Sequence, residues 1–234
     1  MLEDILSQGF QSLSIPFTAE TLSAFRRYTA ILAERNRQMN LTAITSEDEV
    51  ARLHFLDCAA VLPFLPAGSC RVLDVGSGAG FPGLVWKLLR PDLSLTLLDS
   101  QQKRVHFLEE VCGALNLSDV KCIAVRAEEA PGEMRGQFDV VTSRAVSRLN
   151  MLAELSMPFV AVGGRFLAMK AAAAPEELRE AAHALSVLGG SEGELLSCAV
   201  PGLDAERYLV SVKKLRPTPA KYPRRYAQIK KQPL

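Results

Sequence analysis

The chain has 234 residues, 48% hydrophobic composition and a formal net charge of +1, enough for one large domain, alone or with an extension, around a sizeable core. Near-neutrality excludes a globally basic nucleic-acid binder, so any polynucleotide surface must come from where the charges lie. The five cysteines, Cys58, Cys70, Cys112, Cys122 and Cys198, include no C-x-x-C pair, which predicts free thiols in a reducing cytoplasm and no metal site.

Met1-Leu2-Glu3-Asp4 lacks the basic start of a secretory signal, and no apolar run is long enough to span a bilayer. A cytoplasmic protein without a membrane partner is expected. Residues before about 66 read as a helical extension. Leu22, Phe25, Tyr28 or Thr29, and Leu32 recur at helical spacing. Asn36 to Ile44, polar and then mixed, reads as a loop. Ser46-Glu47-Asp48-Glu49 is a capping-box pattern ahead of Val50, Leu53, Leu56, Ala60 and Val61. Pro63, Pro66 and Gly68 mark the passage into the next unit.

From residue 71 strands and helices alternate. Strands are predicted at about 71–75, 94–98, 120–125, 138–143 and 163–169, with helices starting near 82, 101 and 148. This pattern implies a parallel sheet covered on both faces. A helix follows from about Pro175 to Leu188. Two last strands, about 194–200 and 207–214, are close enough in sequence to pair antiparallel.

The first strand ends in Asp74 and runs into Gly76-Ser77-Gly78-Ala79-Gly80-Phe81-Pro82-Gly83. Such a turn lets a ligand approach the backbone closely, and Pro82 suits the first turn of the helix that follows. The spacing from Gly78 to Gly83 formally fits a dinucleotide fingerprint. Asp74, however, opposes a pyrophosphate and suits a cation, which favours S-adenosylmethionine, with its sulfonium and ammonium, over NAD. Asp99 closes the second strand about 20 residues on, where nucleotide-binding folds place a ribose acceptor. It could equally cap the helix near Gln101. Asp74 likewise has a second reading, as a cap on the turn.

The end of the chain changes character. From Lys213 to Leu234 there are eight Lys and Arg residues, no acid, four prolines, and the interleaved rings of Tyr222 and Tyr226. Cations and stacking rings suit a polynucleotide, and the prolines discourage regular structure; the other reading is a solvated tail.

Several of these stretches occur together in one family. Asn36-x-x-x-Asn40-Leu41-Thr42, His54-Phe55-Leu56-Asp57, Asp74 to Gly83, Ser143-Arg144-Ala145 and Lys221-Tyr222-Pro223-Arg224 appear in this order. The chain closely resembles, over nearly its whole length, the bacterial ribosomal RNA small subunit methyltransferase G family, also called glucose-inhibited division protein B. The resemblance implies a class I, Rossmann-like α/β methyltransferase fold with a mostly parallel seven-stranded sheet. Its expected parts are a helical extension (1–66), a core (67–216) and a basic tail (217–234). It also implies methyl transfer from S-adenosylmethionine to guanine N7 at one site in 16S rRNA, free or in the small ribosomal subunit, by a monomer.

The resemblance assigns cofactor contacts to Gly76, Phe81, Ala127, Glu128 and Arg144; Asp74, Ser77, Gly78, Gly80 and Asp99 complete the candidate cofactor set. Phe81 could instead simply pack between helix and sheet. Arg144, at the end of the fourth strand, could hold the cofactor carboxylate, contact a target phosphate, or form a structural ion pair. Asn40, His54, Arg148, Lys170, Lys221, Arg224 and Arg225 are the further RNA candidates; for the first four, a structural or solvated role is the competing reading. Ala227 and Ile229 stand where relatives often carry glycine and proline, so the path of this tail is expected to differ. Guanine N7 offers a lone pair and no proton, so no general base is expected and no catalytic residue is named.

Overall fold

The computed structural model describes residues 1–144 and 147–234; Ala145, the last residue of the Ser143-Arg144-Ala145 motif, lies outside the described residues. Helix α1 (Leu2–Ser12) buries Leu2, Leu6, Gly9 and Phe10, a spacing that keeps one face inward. Helix α2 (Ala19–Met39) starts at a capping box between Thr18 and Thr21 and buries Ala24, Phe25, Tyr28, Thr29 and Leu32. It runs further than the sequence suggests: Asn36 to Met39, expected in a loop, are helical. The stop is Asn40, left-handed at φ 50° and ψ 52°, a conformation that asparagine tolerates better than most residues.

Ser46 caps the next helical stretch by accepting the Glu49 N–H, as the sequence predicts. That stretch comprises α3 (Glu47–Val50), a π-helical segment (Ala51–Leu56) and α4 (Asp57–Ala59). Beyond it lie β1 (Arg71–Val75), α5 (Gly83–Leu89), β2 (Ser94–Asp99), α6 (Gln102–Ala114), β3 (Val120–Ala124) and β4 (Phe138–Arg144). Then come α7 (Leu149–Ser156), β5 (Val160–Lys170), α8 (Ala174–Val187), β6 (Glu194–Ser197) and β7 (Tyr208–Lys213).

The seven strands lie in the order β3-β2-β1-β4-β5-β7-β6. β1 to β5 are parallel, and β7 pairs antiparallel with both β5 and β6. The predicted strands are all present; β5 starts earlier than expected, at Val160, with a register shift against β4 between Phe138 and Val140. Two apolar clusters account for the core. One joins the N-terminal helices to α5 and α6, and the other joins α7 and α8 to the sheet. The carboxyl ends of β1, β2 and β4 therefore point at one edge, where an α/β sheet binds its ligands.

The tail departs from its expected irregular path. It is packed and ends in α9 (Tyr226–Lys231), with Tyr222 and Ile229 buried in the α7–α8 cluster. Arg224 meets the fully buried Glu154, donating from Nε at 2.8 Å, Nη2 at 2.6 Å and the backbone N–H at 2.8 Å. Lys214 is also buried and donates to the carbonyls of Met157 and Leu188 and to Thr218. Burial pushes its ammonium down to about 7, because an amine away from water favours its neutral form. Arg135 holds the same segment through the Tyr222 carbonyl at 2.6 Å.

Candidate functional site

The glycine turn is drawn onto β2: the N–H groups of Gly76 and Ser77 both donate to the Leu98 carbonyl, at 2.7 and 3.1 Å. Gly76 (φ 73°), Gly78 (φ 57°) and Gly80 (φ 91°) are all left-handed, which other residues adopt only at a cost. Around this turn lies a cavity of about 360 Å³. Gly76, Ser77, Gly78, Phe81, Asp99 and Arg144 line it, together with Leu41, Thr42, His54, Ala79, Ser100 and Arg104. Six of the candidate cofactor residues are thus brought together.

Gly80 is not among the lining residues. Its role is packing: a Cβ there would sit 2.5 Å from both the Tyr28 hydroxyl and a Leu84 methyl. Tyr28 donates its hydroxyl to the Ala79 carbonyl, so α2 grips the turn directly. Asp99 does serve as a turn acceptor. Its oxygens take the N–H of Gln101 at 2.9 Å and of Gly78 at 3.0 Å, beside Arg104 at 3.5 Å. It borders the cavity all the same.

Asp74 lies beneath the turn rather than on the cavity wall. It is fully buried, and its Oδ2 accepts the Gly83 N–H at 2.9 Å, which bears out the capping reading. Its Oδ1 has no partner. Burial pushes this carboxyl up to about 8, against smaller opposing effects of the Gly83 hydrogen bond and Arg144. A buried acid with one oxygen unpartnered behind a cavity is a fit for a cationic ligand, because a nearby positive charge would favour its ionised form.

The other side of the cavity is a stack. The rings of His54 and Phe81 lie 4.4 Å apart at 24°, with the Arg144 guanidinium carbon 4.9 Å from the Phe81 centroid. Phe81 touches Tyr28 at 5.7 Å and Phe55 at 6.0 Å, so the packing reading of Phe81 holds while the ring also borders the cavity. Arg144 donates from Nη2 to His54 Nδ1 at 2.9 Å, and from Nη1 to the Leu53 carbonyl at 3.0 Å and Asp57 at 3.2 Å. Guanidinium groups only donate, so His54 Nδ1 accepts and Nε2 carries the proton. That proton faces Thr42 Oγ1 at 2.9 Å. Burial, and then the Arg144 charge, push the imidazole down to about 3, so it is neutral at physiological pH.

Sequence reading missed four members of this arrangement: Arg207, Asp57, Thr42 and Tyr28. Arg207 donates from Nε to the second oxygen of Asp57 at 3.1 Å, making Asp57 a bridge between Arg144 and Arg207. Thr42 is positioned by Asn36, whose amide exchanges two 2.8 Å hydrogen bonds with its backbone. Tyr28 reads from the sequence only as a core face of α2. For Thr42 and Asp57 the signal was present, since both stand inside motifs already singled out; nothing local marks Arg207.

A second cavity, of about 570 Å³, shares His54 and Arg144 with the first and adds Asp57, Ser147, Lys170, Met169, Glu177 and Arg207 among its lining. Lys170 here donates to Glu177 at 2.8 Å and to the Ser147 carbonyl at 2.6 Å. The remaining candidates fall elsewhere. Arg148 pairs with Glu180 at 2.7 Å and lines neither cavity. Asn40 is the α2 cap and borders a cavity beside that helix. Arg224 is taken by Glu154, which removes it as a free RNA contact, while Lys221 and Arg225 remain exposed. Ala127 and Glu128 sit in a 3-10 turn after β3, away from the glycine cavity's lining.

Among the described residues no group of three or more His, Cys, Asp or Glu is placed to hold a metal ion, and no helix is long and apolar enough to cross a membrane. A family model described as rRNA small subunit methyltransferase G matches residues 21–207. Relatives called ribosomal RNA small subunit methyltransferase G are similar from end to end. The one from Alkaliphilus oremlandii is 41% identical over 100% of this chain and 99% of its own. The one from Exiguobacterium sp. is 44% identical over 100% and 97%, and that of Clostridium botulinum Loch Maree 39% over 99% and 98%. Solved structures agree on the fold. A SAM-dependent methyltransferase from Aquifex aeolicus superposes with a TM-score of 0.54 at 18% identity, covering 70% of this chain and 92% of that one. Precorrin-6y C5,15-methyltransferase from Geobacter metallireducens gives 0.53 at 15%, covering 67% and 87%.

Proposed function

The chain belongs to the rRNA small subunit methyltransferase G family, and from that premise we propose that it methylates guanine N7 at one site in 16S rRNA, using S-adenosylmethionine. One observation carries the reading at the level of geometry: two cavities, of about 360 and 570 Å³, meet at a shared wall of His54 and Arg144. The first is built around the glycine turn and Asp99, as a nucleoside cofactor requires. The second is large enough for a base and has cationic and acidic groups on its rim, in the size range of small-ligand sites.

When bound, S-adenosylmethionine supplies an activated methyl group on a sulfonium. The chain's residues have little proton chemistry to do, since N7 carries no proton to remove. Their work is alignment and exclusion of water, which for a bimolecular transfer supplies much of the rate effect. Arg144 is fixed by His54, Leu53 and Asp57 at the junction of the cavities. His54, held neutral, adds no second positive charge beside a cationic cofactor. Asp74 sets a carboxyl behind the turn; Gly76 and Gly78 keep the backbone bare where the ligand approaches. Lys170 and Arg207, paired with Glu177 and Asp57, join Arg144 as the cations lining the second cavity, where a guanine O6 or a target phosphate would meet them.

The reading is tested by incubating the protein with methyl-labelled cofactor and 16S rRNA, free and within small subunits, and mapping the modified nucleotide. Label in a single 7-methylguanosine is the expected result. Label on another atom or on protein, or no transfer to either substrate, overturns it.

A further inference from the structure

We propose that Glu177, with Lys170 beside it, reads the Watson–Crick edge of the target base and so makes the larger cavity selective for guanine. The proposal rests on the guanine-N7 reading above and deepens it by assigning the residues that choose the base.

Two acids line that cavity, Asp57 and Glu177. Both oxygens of Asp57 are taken, one by Arg144 and the other by Arg207. Glu177 differs. It stands in the first turn of α8, where its Oε2 accepts the Leu149 N–H at 2.8 Å and lies 2.8 Å from Lys170 Nζ. Among the described residues no donor meets its Oε1. Lys170 also donates to the Ser147 carbonyl at 2.6 Å, and an ammonium carries three donors, which leaves one for a ligand. The pair therefore offers the cavity an acceptor and a donor side by side. Lys170 and Glu177 are only 8% and 15% exposed, so a base placed against them competes with little water.

Guanine is the complement of that pair. Its Watson–Crick edge sets the O6 acceptor beside the N1–H donor, whereas adenine sets its N6 amino donor beside a bare N1 acceptor and mismatches both groups. The placement also fits the reaction. N7 must face the methyl group across the wall of His54 and Arg144 that the two cavities share. Neither Lys170 nor Glu177 lines the glycine-turn cavity, so they are left for the N1 side of the base. The carboxylate repels a phosphate, which keeps the RNA backbone out of this corner. Ile44, Val61, Met169 and Tyr208, also in the lining, suit the faces of a planar ring. Such an edge is open to reading only when the base is unpaired.

The test uses the full chain and the RNA that the unaltered protein methylates, prepared with guanosine, adenosine or inosine at the target. Affinities are measured with the demethylated cofactor bound. Glu177→Gln keeps an oxygen for Leu149 and Lys170 but turns an amino group toward N1. The preference for guanosine over adenosine RNA should fall by roughly 5- to 150-fold in this variant, with cofactor affinity by calorimetry unchanged. Inosine keeps O6 and N1–H, so on the unaltered protein its RNA should bind like guanosine RNA and not like adenosine RNA. A folded Glu177→Gln protein with an unchanged preference overturns the proposal. So does an equal loss on all three RNAs with a lower melting temperature, which would make Glu177 merely the cap of α7. If the variant does not fold, guanosine RNA isotopically labelled at the target N1 decides by NMR. In complex with the unaltered protein its imino proton must be protected from exchange, and exchange as fast as in free RNA overturns the assignment. Methylation of the guanosine RNA by the unaltered protein is scored separately: its absence overturns the rRNA reading as well, whereas an unchanged preference with methylation intact overturns this proposal alone.

Discussion

Replacing Asp74 by asparagine should stabilise the free protein and weaken cofactor binding at once. The folded carboxyl titrates near 8, against 3.8 for an ordinary aspartate. The native state therefore holds this proton more tightly than the unfolded chain does. The associated stability is fully present below about pH 3.8 and is lost as pH rises toward 8. At pH 7 the deficit relative to a permanently neutral side chain is on the order of 4 kcal/mol. Asparagine keeps an oxygen for the Gly83 N–H, so the gain should survive the substitution in large part. Denaturant titrations at pH 5, 7 and 8.5 should show the variant's advantage growing with pH and then levelling off. A cationic ligand needs the carboxylate, so binding to the unaltered protein should strengthen by up to about tenfold per pH unit until pH 8. The variant should show neither the affinity nor that slope. A folded Asp74→Asn protein that is no more stable at pH 7, and binds cofactor with unchanged affinity, would refute the assigned proton and its role.

Tyr28→Phe deletes the hydrogen bond to the Ala79 carbonyl while keeping the ring; a loss of about 1 kcal/mol should raise the KM for the cofactor about fivefold and leave kcat nearly unchanged in steady-state assays. Arg144→Lys cannot reach Leu53, His54 and Asp57 together, and charge-assisted bonds of this kind are worth about 1.5–3 kcal/mol each. Its kcat/KM should fall at least tenfold, and the melting temperature should drop by about 2–4 °C for each kcal/mol of those bonds that is lost. Arg224→Ala leaves Glu154 buried without its partner and should cost about 3 kcal/mol, read by denaturant unfolding. The pair Glu154→Leu with Arg224→Met should recover most of that loss, and its failure to do so would count against the latch.

The parts of this fold that were legible in the sequence are those specified locally. Asp74 and Asp99 end short apolar runs, and their separation places them on neighbouring strands. The Ser46–Glu49 cap is a four-residue pattern and was equally plain. Asn36 to Met39 misled because their polarity resembles a loop, yet they form the last turn of a long helix, with Arg37 and Gln38 exposed and Asn36 and Met39 half-buried, whose stop is set by Asn40. The π-helical turn at Ala51–Leu56 leaves no periodic mark, although it presents the Leu53 carbonyl and His54 to Arg144. The Asp57–Arg207 contact spans 150 positions, so no local pattern marks it. The tail misled for a different reason. Composition reveals its charge but not that buried Glu154, in α7, would claim one of its arginines.

The aromatic contacts have a consequence for how this protein can be taken apart. Phe17, Phe10, Phe25, Phe55, Phe81 and His54 touch in succession, with centroids 4.4 to 6.0 Å apart, and the last of them meets Arg144. Close-packed rings transmit a change of volume rather than absorbing it. The first two helices are thus no detachable accessory that could be exchanged for another targeting module while the catalytic unit runs on. A domain graft that replaced the chain through residue 57 would leave the guanidinium without Leu53, His54 and Asp57, the wall it leans on. In directed evolution, substitutions at Phe10 or Phe25 should surface as changes in turnover, far from any ligand.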